Sequence, residues 1–147
     1  MISIKEIKQK DIALCIELDL DTISLWNKNQ WNNELKKEGI KVFGLSLSNL
    51  IIGICVLQVV IDEVQLNYFT VREKYRRKGF GSYLMNYSIK YCEKLKITKI
   101  LLEVSESNLI AEKFYSHFNF STVGHRKKYY KDGSNALLKE KKIIKNK

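Results

Sequence analysis

An eleven-residue segment between a predicted strand and a predicted helix has the composition of an anion-binding loop. Residues 72–82 carry five basic side chains within their first seven positions, and Gly79 and Gly81 stand where the helix begins. Unpaired backbone N–H groups and the positive end of the helix dipole attract anions at such a start, and glycine permits a ligand to approach closely. The spacing matches neither a Walker loop nor a dinucleotide fingerprint. It favours a phosphate-binding loop of another kind over a glycine turn with solvated charges.

A single carboxylate interrupts an apolar strand further along the chain. Glu103 lies within the sequence Ile-Leu-Leu-Glu-Val at residues 100–104. One interpretation is a side chain that emerges into solvent at the end of the strand. The other is a general base, because a partly desolvated carboxylate has a raised pKa and can take a proton from an amine, directly or through water. The sequence leaves both interpretations open.

Three side chains of the next predicted helix share one face. Asn108, Ala111 and Tyr115 follow the spacing i, i+3, i+7. This face presents an amide, a small residue that lets a ligand approach, and a phenol. A tyrosine whose ring lies in the core and whose hydroxyl reaches the rim is the alternative to a functional phenol. A second stripe, at i, i+4, i+8, is expected in the core and consists of Ile110, Phe114 and Phe118.

The elements that must position these residues follow from the hydrophobic periodicity. Apolar alternation predicts strands at residues 1–7, 41–47, 51–60, 63–71, 98–104, 120–124 and 136–143. Helical spacing predicts a helix that Asp11 caps and, after a polar loop at 20–31, helices at 32–37, 80–95 and 108–118. The order β-α-α-β-β-β-α-β-α-β-β, with an antiparallel meander at its centre, predicts one mixed α/β domain over residues 1–147. The charged segment 139–147 is expected to fray.

Composition excludes several classes of protein. The 147 residues are 45% apolar and 29% charged, which is unlike a disordered chain. No apolar run approaches the roughly 18 residues needed to cross a bilayer, and the N-terminus lacks a signal-peptide pattern. Three widely spaced cysteines and two histidines argue against disulfides and against a zinc site. We therefore expect a soluble, cytoplasmic protein with buried free thiols and without a metal.

The net charge of +10 is concentrated in two blocks. Residues 72–96 carry eight basic and two acidic side chains, and residues 126–147 carry nine and two. Part of the lysine excess suits the proline-free composition that an AT-rich genome encodes. Residues 1–71 are net acidic and could steer a basic partner through Glu17, Asp19, Asp21, Asp62 and Glu63.

The loop and an ordered series of residues after it resemble a known family. The sequence Arg76-Arg77-Lys78-Gly79-Phe80-Gly81 is similar to the Arg/Gln-x-x-Gly-x-Gly/Ala loop of the GNAT superfamily of N-acetyltransferases. The resemblance continues through Leu102-Glu103-Val104, Ser107-Asn108, Ala111, Phe114-Tyr115, Phe120 and Tyr129-Tyr130. Together with Gln-Val-Val-Ile-Asp-Glu at residues 58–63, the chain looks like the bacterial ribosomal-protein-alanine N-acetyltransferases, most densely over residues 51–130.

This resemblance implies a fold, a reaction and a set of site residues. The fold is a mixed, mostly antiparallel central sheet flanked by helices, and the reaction moves an acetyl group from acetyl-CoA to the N-terminal alanine of a ribosomal protein. It implies that Glu103 is the base and that Tyr115 protonates the departing thiolate. It assigns the pantetheine arm to Asn108 and to the backbone of Phe69, Thr70 and Val71. It assigns the pyrophosphate to Arg76, Arg77, Lys78, Gly79, Phe80, Gly81 and Ser82.

Four positions depart from the family pattern, mostly on the acceptor side. Ser105 stands where arginine is usual, and the Pro-Trp of many relatives appears as Leu25-Trp26. Asn119 replaces a glycine, which is a mild change since asparagine tolerates a left-handed backbone, and Asn135 replaces an acidic residue. These changes leave acyl transfer in place and leave the acceptor open.

Two alternatives to the alanine acceptor follow. One is acetylation of another amine, either a lysine side chain or a small metabolite. The other is a basic RNA- or ribosome-binding module without chemistry, because aromatic and basic side chains together can stack on bases, as at Arg126, Lys127, Lys128, Tyr129 and Tyr130. A rim of aromatics around a substrate cleft explains the same residues. We expect a protein N-terminus as the partner, and neither direct nucleic-acid binding nor a membrane.

Overall fold

Seven strands form one sheet with two helices against each face in the computed structural model, which describes residues 1–143. The strands are β1 (Ile2–Glu6), β2 (Ile40–Leu47), β3 (Leu50–Val60), β4 (Glu63–Val71), β5 (Lys99–Ser105), β6 (Ser121–Arg126) and β7 (Ala136–Lys142). The helices are α1 (Ile12–Leu20), α2 (Lys28–Lys36), α3 (Phe80–Lys94) and α4 (Leu109–His117). Their order along the chain is the predicted one, and the α/β fold class is confirmed.

The sheet opens between β4 and β5. Its strand order is β1-β2-β3-β4-β5-β7-β6, and β4 with β5 is the one parallel pair among the described strands. These two strands pair at three positions, from Glu63 with Lys99 to Gln65 with Leu101. Just beyond, the register of β4 on β3 shifts and leaves Asn67 without a partner on β3. Because such a bulge bends a strand and increases its twist, β4 leaves β5 and a cleft opens between their C-terminal halves.

Helices pack against both faces of the sheet. Successive residues of a strand point to opposite faces, so one strand can contribute to the packing on both. On one face, α3 and α4 pack through a cluster that includes Leu84 and Tyr115. On the other face, α1 and α2 pack through a cluster that includes Leu18 and Trp31. β3 contributes to both clusters, which explains the nearly continuous apolar run at residues 51–57.

Helix α2 begins earlier than the sequence predicts. The predicted helix covers residues 32–37, whereas α2 spans Lys28–Lys36. The Asn27 side chain accepts a hydrogen bond from the Gln30 N–H, and the Gln30 side chain accepts one from the Asn27 N–H. This capping box satisfies two donors at the helix start, so a polar stretch becomes helical without a clear apolar stripe.

One side chain that its spacing places on a buried stripe is exposed instead. Ile110, in the first turn of α4, is 78% exposed. It lies at a helix terminus, where fewer neighbours surround a side chain than in the middle of the helix. Phe118, from the same stripe as Ile110, is buried as predicted.

The charged C-terminal segment is paired at the position where the sequence predicts fraying. β7 continues to Lys142, which pairs with Lys99 of β5. Lys139 is buried, and its Nζ donates to Thr122 Oγ1 at 2.9 Å and lies 3.6 Å from Glu112 Oε1. These contacts offset the desolvation of the ammonium group. The rest of the predicted frayed segment, residues 144–147, lies outside the described residues.

Candidate active site

The start of α3 presents unpaired backbone donors at the end of β4. Gly79 is the residue before the helix, its φ is +85° and no side-chain hydrogen bond caps the helix there. A Cβ atom added to Gly79 would meet nothing within 4 Å. The N–H groups of Phe80, Gly81 and Ser82 lie in the first turn, where an α-helix offers no carbonyl partner. Open space, free donors and the positive end of the helix dipole together suit an anion.

Two arginines beside this loop hold the end of β4. Arg76 Nε donates to the Val71 carbonyl at 2.8 Å. Arg72 Nε donates to the Ile51 carbonyl at 2.9 Å, and Arg72 Nη1 lies 2.7 Å from Asp21 Oδ2 of the chain after α1. Arg76, predicted from the resemblance to touch the ligand, thus also positions the loop. Arg77 and Lys78 remain exposed to solvent.

The backbone of β4 has one free edge beside the cleft. Cys55, Ile54 and Gly53 of β3 pair with residues 69–71 on one side. On the other side, the pairing with β5 ends at Gln65. The Val71 carbonyl already accepts from Arg76 Nε, and the other main-chain groups of this edge can hydrogen-bond an extended ligand as an added strand would.

A cavity of about 230 Å³ occupies the cleft and collects several of the predicted residues. β4 contributes Phe69, β5 contributes Glu103, α4 contributes Tyr115, and Asn108 lies just before α4. The loop at residues 76–82 does not line this cavity. We call the part of the cleft formed by residues 69–71 and the start of α3 the β4 end. A larger depression of about 580 Å³ beside Arg72 contains none of the predicted catalytic residues, so the smaller cavity is the candidate reaction site.

Glu103 lies near the end of β5 and forms an ion pair. Its side chain is 33% exposed, and Oε1 lies 3.2 Å from Arg126 Nε. The Arg126 guanidinium also lies over the Tyr129 ring, 5.5 Å from its centroid. Glu103 lines the cavity, and an ionised carboxylate at this position is a possible proton acceptor. Arg126 stands out in the sequence as part of a basic run, and its pairing with Glu103 has no signal in the spacing.

Tyr115 has a buried ring and a hydroxyl that faces the cavity. The ring packs edge-on against Phe114 and Phe120. Among residues 1–143, the hydrogen bonds include none from its hydroxyl, although the residue lines the cavity. Burial, with smaller contributions from Cys55 and Tyr130, raises the pKa of Tyr115 well above its ordinary value. The phenol therefore stays protonated at neutral pH and is free to donate.

Asn108 stands just before α4 rather than inside it. Its Oδ1 accepts a hydrogen bond from the Ala111 N–H at 3.1 Å and so caps the helix. The oxygen is engaged in this bond, and the carboxamide nitrogen is the group left to meet a ligand in the cavity. The sequence predicts Asn108 as the first residue of the helix, whereas it is the residue before the helix. It still lines the cavity together with Ala111 and Tyr115, and its spacing does not distinguish a cap from a ligand contact.

Tyr130 reaches the cavity from the β6–β7 loop, residues 127–135. Ser134 Oγ lies 2.7 Å from Ser105 Oγ, and Asn135 Nδ2 donates to Glu106 Oε2 at 3.3 Å. These contacts tie the loop to the end of β5. Burial, the Glu103 charge and Tyr129 raise the pKa of Tyr130, in that order. Ser105 and Asn135, both departures from the family pattern, thus hold one side of the cavity in this chain.

The comparisons with known proteins match sequence and fold together. The model of the Acetyltransferase (GNAT) family matches residues 10–120. A ribosomal protein bS18-alanine N-acetyltransferase of Haemophilus ducreyi (strain 35000HP / ATCC 700724) is 31% identical over 110 residues, which cover 71% of this chain and 76% of the relative.

Solved structures share the fold at lower identity. The ribosomal-protein-S18-alanine N-acetyltransferase from Escherichia coli matches with a TM-score of 0.92 at 24% identity, covering 100% of this chain and 97% of that one. PaiA N-acetyltransferase from Thermoplasma acidophilum, solved in complex with coenzyme A, matches with a TM-score of 0.76 at 18% identity, covering 97% and 99%.

The matched region contains the glycine loop and both strands of the cleft. Residues 10–120 run from the start of α1 to the end of α4. Every helix among the described residues is too short or too polar to cross a membrane. The resemblance predicted from the sequence is confirmed: the chain belongs to the acetyltransferase (GNAT) family.

Proposed function

We propose that this enzyme transfers the acetyl group of acetyl-CoA to the α-amine of an N-terminal alanine, in a ribosomal protein. The observation that carries the proposal is the cleft between β4 and β5. An anion-binding helix start lies at the end of β4, and a carboxylate and a protonated phenol share the cavity. The relative from Haemophilus ducreyi, named for the alanine of ribosomal protein bS18, supports the choice of acceptor. A ribosomal acceptor would place the reaction in the cytoplasm.

The residues at the β4 end fit the proposed co-substrate. Free N–H groups of Phe80, Gly81 and Ser82 would receive the pyrophosphate, with Arg77 and Lys78 adding attraction from the surface. The free edge of β4 at residues 69–71 and the Asn108 carboxamide would receive the amides of the pantetheine arm. When bound, acetyl-CoA supplies an acetyl group activated as a thioester.

Glu103 and Tyr115 divide the proton transfers. A protein N-terminus is partly protonated at neutral pH and must lose a proton before its nitrogen can attack. Glu103 takes that proton, directly or through one water molecule, and passes it to solvent; as the new N–C bond forms, the nitrogen loses its second proton to the same carboxylate. Tyr115 gives its hydroxyl proton to the departing sulfur as the C–S bond breaks. The Glu103 proton then restores the phenol or leaves to solvent, so the protons balance.

An α-amine suits a single carboxylate base better than a lysine side chain does. The ordinary pKa of an α-amine is about 7.7–8.0, against about 10.4 for lysine. A lysine ammonium would therefore hold its proton more tightly by roughly 3–4 kcal/mol at equal solvation. The cavity holds one carboxylate among its lining side chains, Glu103. This favours the N-terminus over a lysine side chain as the acceptor.

The test compares two peptides of the same basic sequence beginning with alanine. One has a free N-terminus, and the other is blocked at its N-terminus and keeps its free lysines. We expect acetylation of the first on its α-amine, located by fragmentation in a mass spectrometer, well ahead of any acetylation of the second. Acetylation mainly on lysine ε-amines would reject this acceptor and retain the enzyme class.

A further inference from the structure

We call the part of the cavity lined by Glu103 and Tyr130 the acceptor end of the cleft. We infer that Asp19 is a positioning residue that fixes one wall of this end. The inference rests on the proposed function, since it concerns where an acceptor binds. Asp19 lies in α1 and is 1% exposed. It is therefore unable to steer a partner from the surface, which was one possibility from its sequence position.

The Asp19 carboxylate accepts four hydrogen bonds. Its Oδ1 accepts from the Leu25 N–H at 3.0 Å and from the Tyr68 hydroxyl at 2.9 Å. Its Oδ2 accepts from the Trp26 N–H at 3.0 Å and from the Trp31 indole N–H at 3.0 Å. One side chain thus joins α1, α2, β4 and the α1–α2 loop, residues 21–27.

Aromatic rings shield this carboxylate from water. Trp26, Trp31 and Tyr68 lie with their ring centroids 4.7 to 5.3 Å apart. A buried charge is costly unless all of its hydrogen bonds are made. A different loop conformation would remove the Leu25 and Trp26 donors, so the buried charge favours the observed conformation of the loop over others.

The same loop supplies two side chains to the candidate site. Ile23 and Leu25 line the cavity, together with Glu103 and Tyr130. They are 47% and 48% exposed, and exposed apolar side chains in a cavity suit contact with a ligand. We call Ile23 and Leu25 the acceptor wall. An amine bound at Glu103 would share the cavity with this wall, and Asp19 sets where the wall stands.

The variant Asp19→Asn separates positioning from bulk. A carboxamide has nearly the same shape as a carboxylate, but its NH₂ group donates and cannot accept. In either orientation, this NH₂ group faces one loop N–H and one side-chain donor. The Tyr68 hydroxyl can turn to accept, whereas a backbone N–H cannot. We therefore expect at least one loop hydrogen bond to be lost and the KM for the peptide to rise about tenfold or more. The Kd for acetyl-CoA should change by less than about twofold, since neither residues 69–71 nor the start of α3 is among the hydrogen-bond partners of Asp19.

Ile54→Val is the matched control for destabilisation alone. Ile54 lies in the same buried cluster as Trp31 and Tyr68 and makes no hydrogen bond to the loop. Both variants are assayed at the same interval below their own melting temperatures. A KM for the peptide that rises in Asp19→Asn and not in Ile54→Val supports the inference. An equal rise in both, or no rise in Asp19→Asn, overturns it.

Hydrogen exchange of the free enzyme gives a readout that needs no acceptor. The Leu25 and Trp26 amides should exchange slowly in the wild type and at least about tenfold faster in Asp19→Asn, with β3 amides unchanged. If the wild type acetylates no N-terminal peptide, the proposed function is wrong. The hydrogen-exchange result then tests by itself whether Asp19 anchors the α1–α2 loop. Selective loss of protection at residues 25–26 then supports the anchor, and unchanged protection overturns it.

Discussion

The two ends of the cleft are built from different parts of the chain. At the β4 end, the candidate groups for the co-substrate are mostly backbone: a helix start after Gly79 and the free edge of residues 69–71. At the acceptor end, two loops are held by side chains, one by the Asp19 carboxylate and the other by Ser134 and Asn135. A binding site made of main-chain groups requires a fixed residue spacing and glycines at fixed positions. A site held in place by side chains can be formed by different residue types.

The departures from the family pattern follow this division. Ser105 and Asn135 replace an arginine and an acidic residue, and both now take part in tying the β6–β7 loop to β5. The loop at the start of α3 keeps the family spacing. A family with a fixed co-substrate and a varied acceptor would be expected to differ in this way.

Glu103→Gln should give the largest effect and should separate chemistry from binding. Glutamine keeps the shape but cannot take the proton, so kcat should fall roughly 10²–10⁴-fold, while the calorimetric Kd for acetyl-CoA stays within about twofold of wild type. Glu93→Gln, an exposed carboxylate on α3, is the control and should retain full activity. Near-normal turnover of Glu103→Gln at neutral pH would move the base to another group.

Gly79→Asp should abolish the co-substrate end while sparing the acceptor end. A carboxylate at this position places like charge and bulk in front of the free N–H groups, so the affinity for acetyl-CoA should fall by about 100-fold or more. Gly133→Asp is a matched control, because Gly133 has a φ of +84° and a Cβ there would also meet nothing within 4 Å.

Both aspartates strain the backbone alike, at about 1 kcal/mol each. A similar loss of thermal stability in the two variants, with binding lost only in Gly79→Asp, would separate the anion site from general strain. Unchanged calorimetric affinity in Gly79→Asp would remove the loop from the site.

The parts of the fold that were predictable are those with a strong local period. The strand at residues 63–71 is observed with the same bounds, and the order of all eleven elements is as predicted. Alternating apolar residues and a glycine loop between a strand and a helix are local signals, which need no knowledge of the tertiary structure. For the same reason, the helix that carries Ala111 and Tyr115 toward the cavity could be assigned from spacing.

The parts that were not predictable depend on contacts between distant residues. Asp19 reads as a surface charge because its partners, Trp31 and Tyr68, are 12 and 49 residues away. Lys139 is buried only because Thr122 and Glu112 lie beside it. Polar residues paired over a long sequence distance carry no periodic signal, and such residues hold both loops at the acceptor end of the cleft.

Ser134→Ala combined with Asn135→Ala should produce a moderate effect confined to the acceptor. The double variant removes the hydroxyl and amide contacts between the β6–β7 loop and β5. Because one of these contacts is exposed and the other only part-buried, they stabilise less than fully buried ones, and the KM for the peptide should rise only about three- to tenfold. Ser116→Ala, exposed on α4, is the control. A larger effect on the affinity for acetyl-CoA than on the peptide KM would contradict the division of the cleft.

Alkaline pH should lower the free energy of unfolding, because three thiols are buried in the folded protein. It should affect catalysis less than any of the substitutions does. Burial raises the pKa of Cys15, Cys55 and Cys92 to about 12, from 9.0 for a free thiol. In the unfolded chain these thiols ionise near pH 9, whereas in the folded protein they stay neutral. Their stabilising contribution is therefore complete below pH 9 and is lost progressively as the pH rises toward 12.

At pH 10, the loss should be on the order of 1 kcal/mol for each thiol. Denaturant unfolding at pH 7, 9 and 10 measures it, and Cys15→Ala and Cys92→Ala should each flatten the pH dependence of the unfolding free energy. Cys15 lies in the cluster under the acceptor wall, and Cys92 lies in the cluster on the other face of the sheet. Equal flattening by both variants would indicate that the two halves of the molecule unfold as one cooperative unit. If only one variant flattened the pH dependence of the unfolding free energy, the two sides of the sheet would unfold separately. If neither variant did, the thiols would already ionise in the folded state.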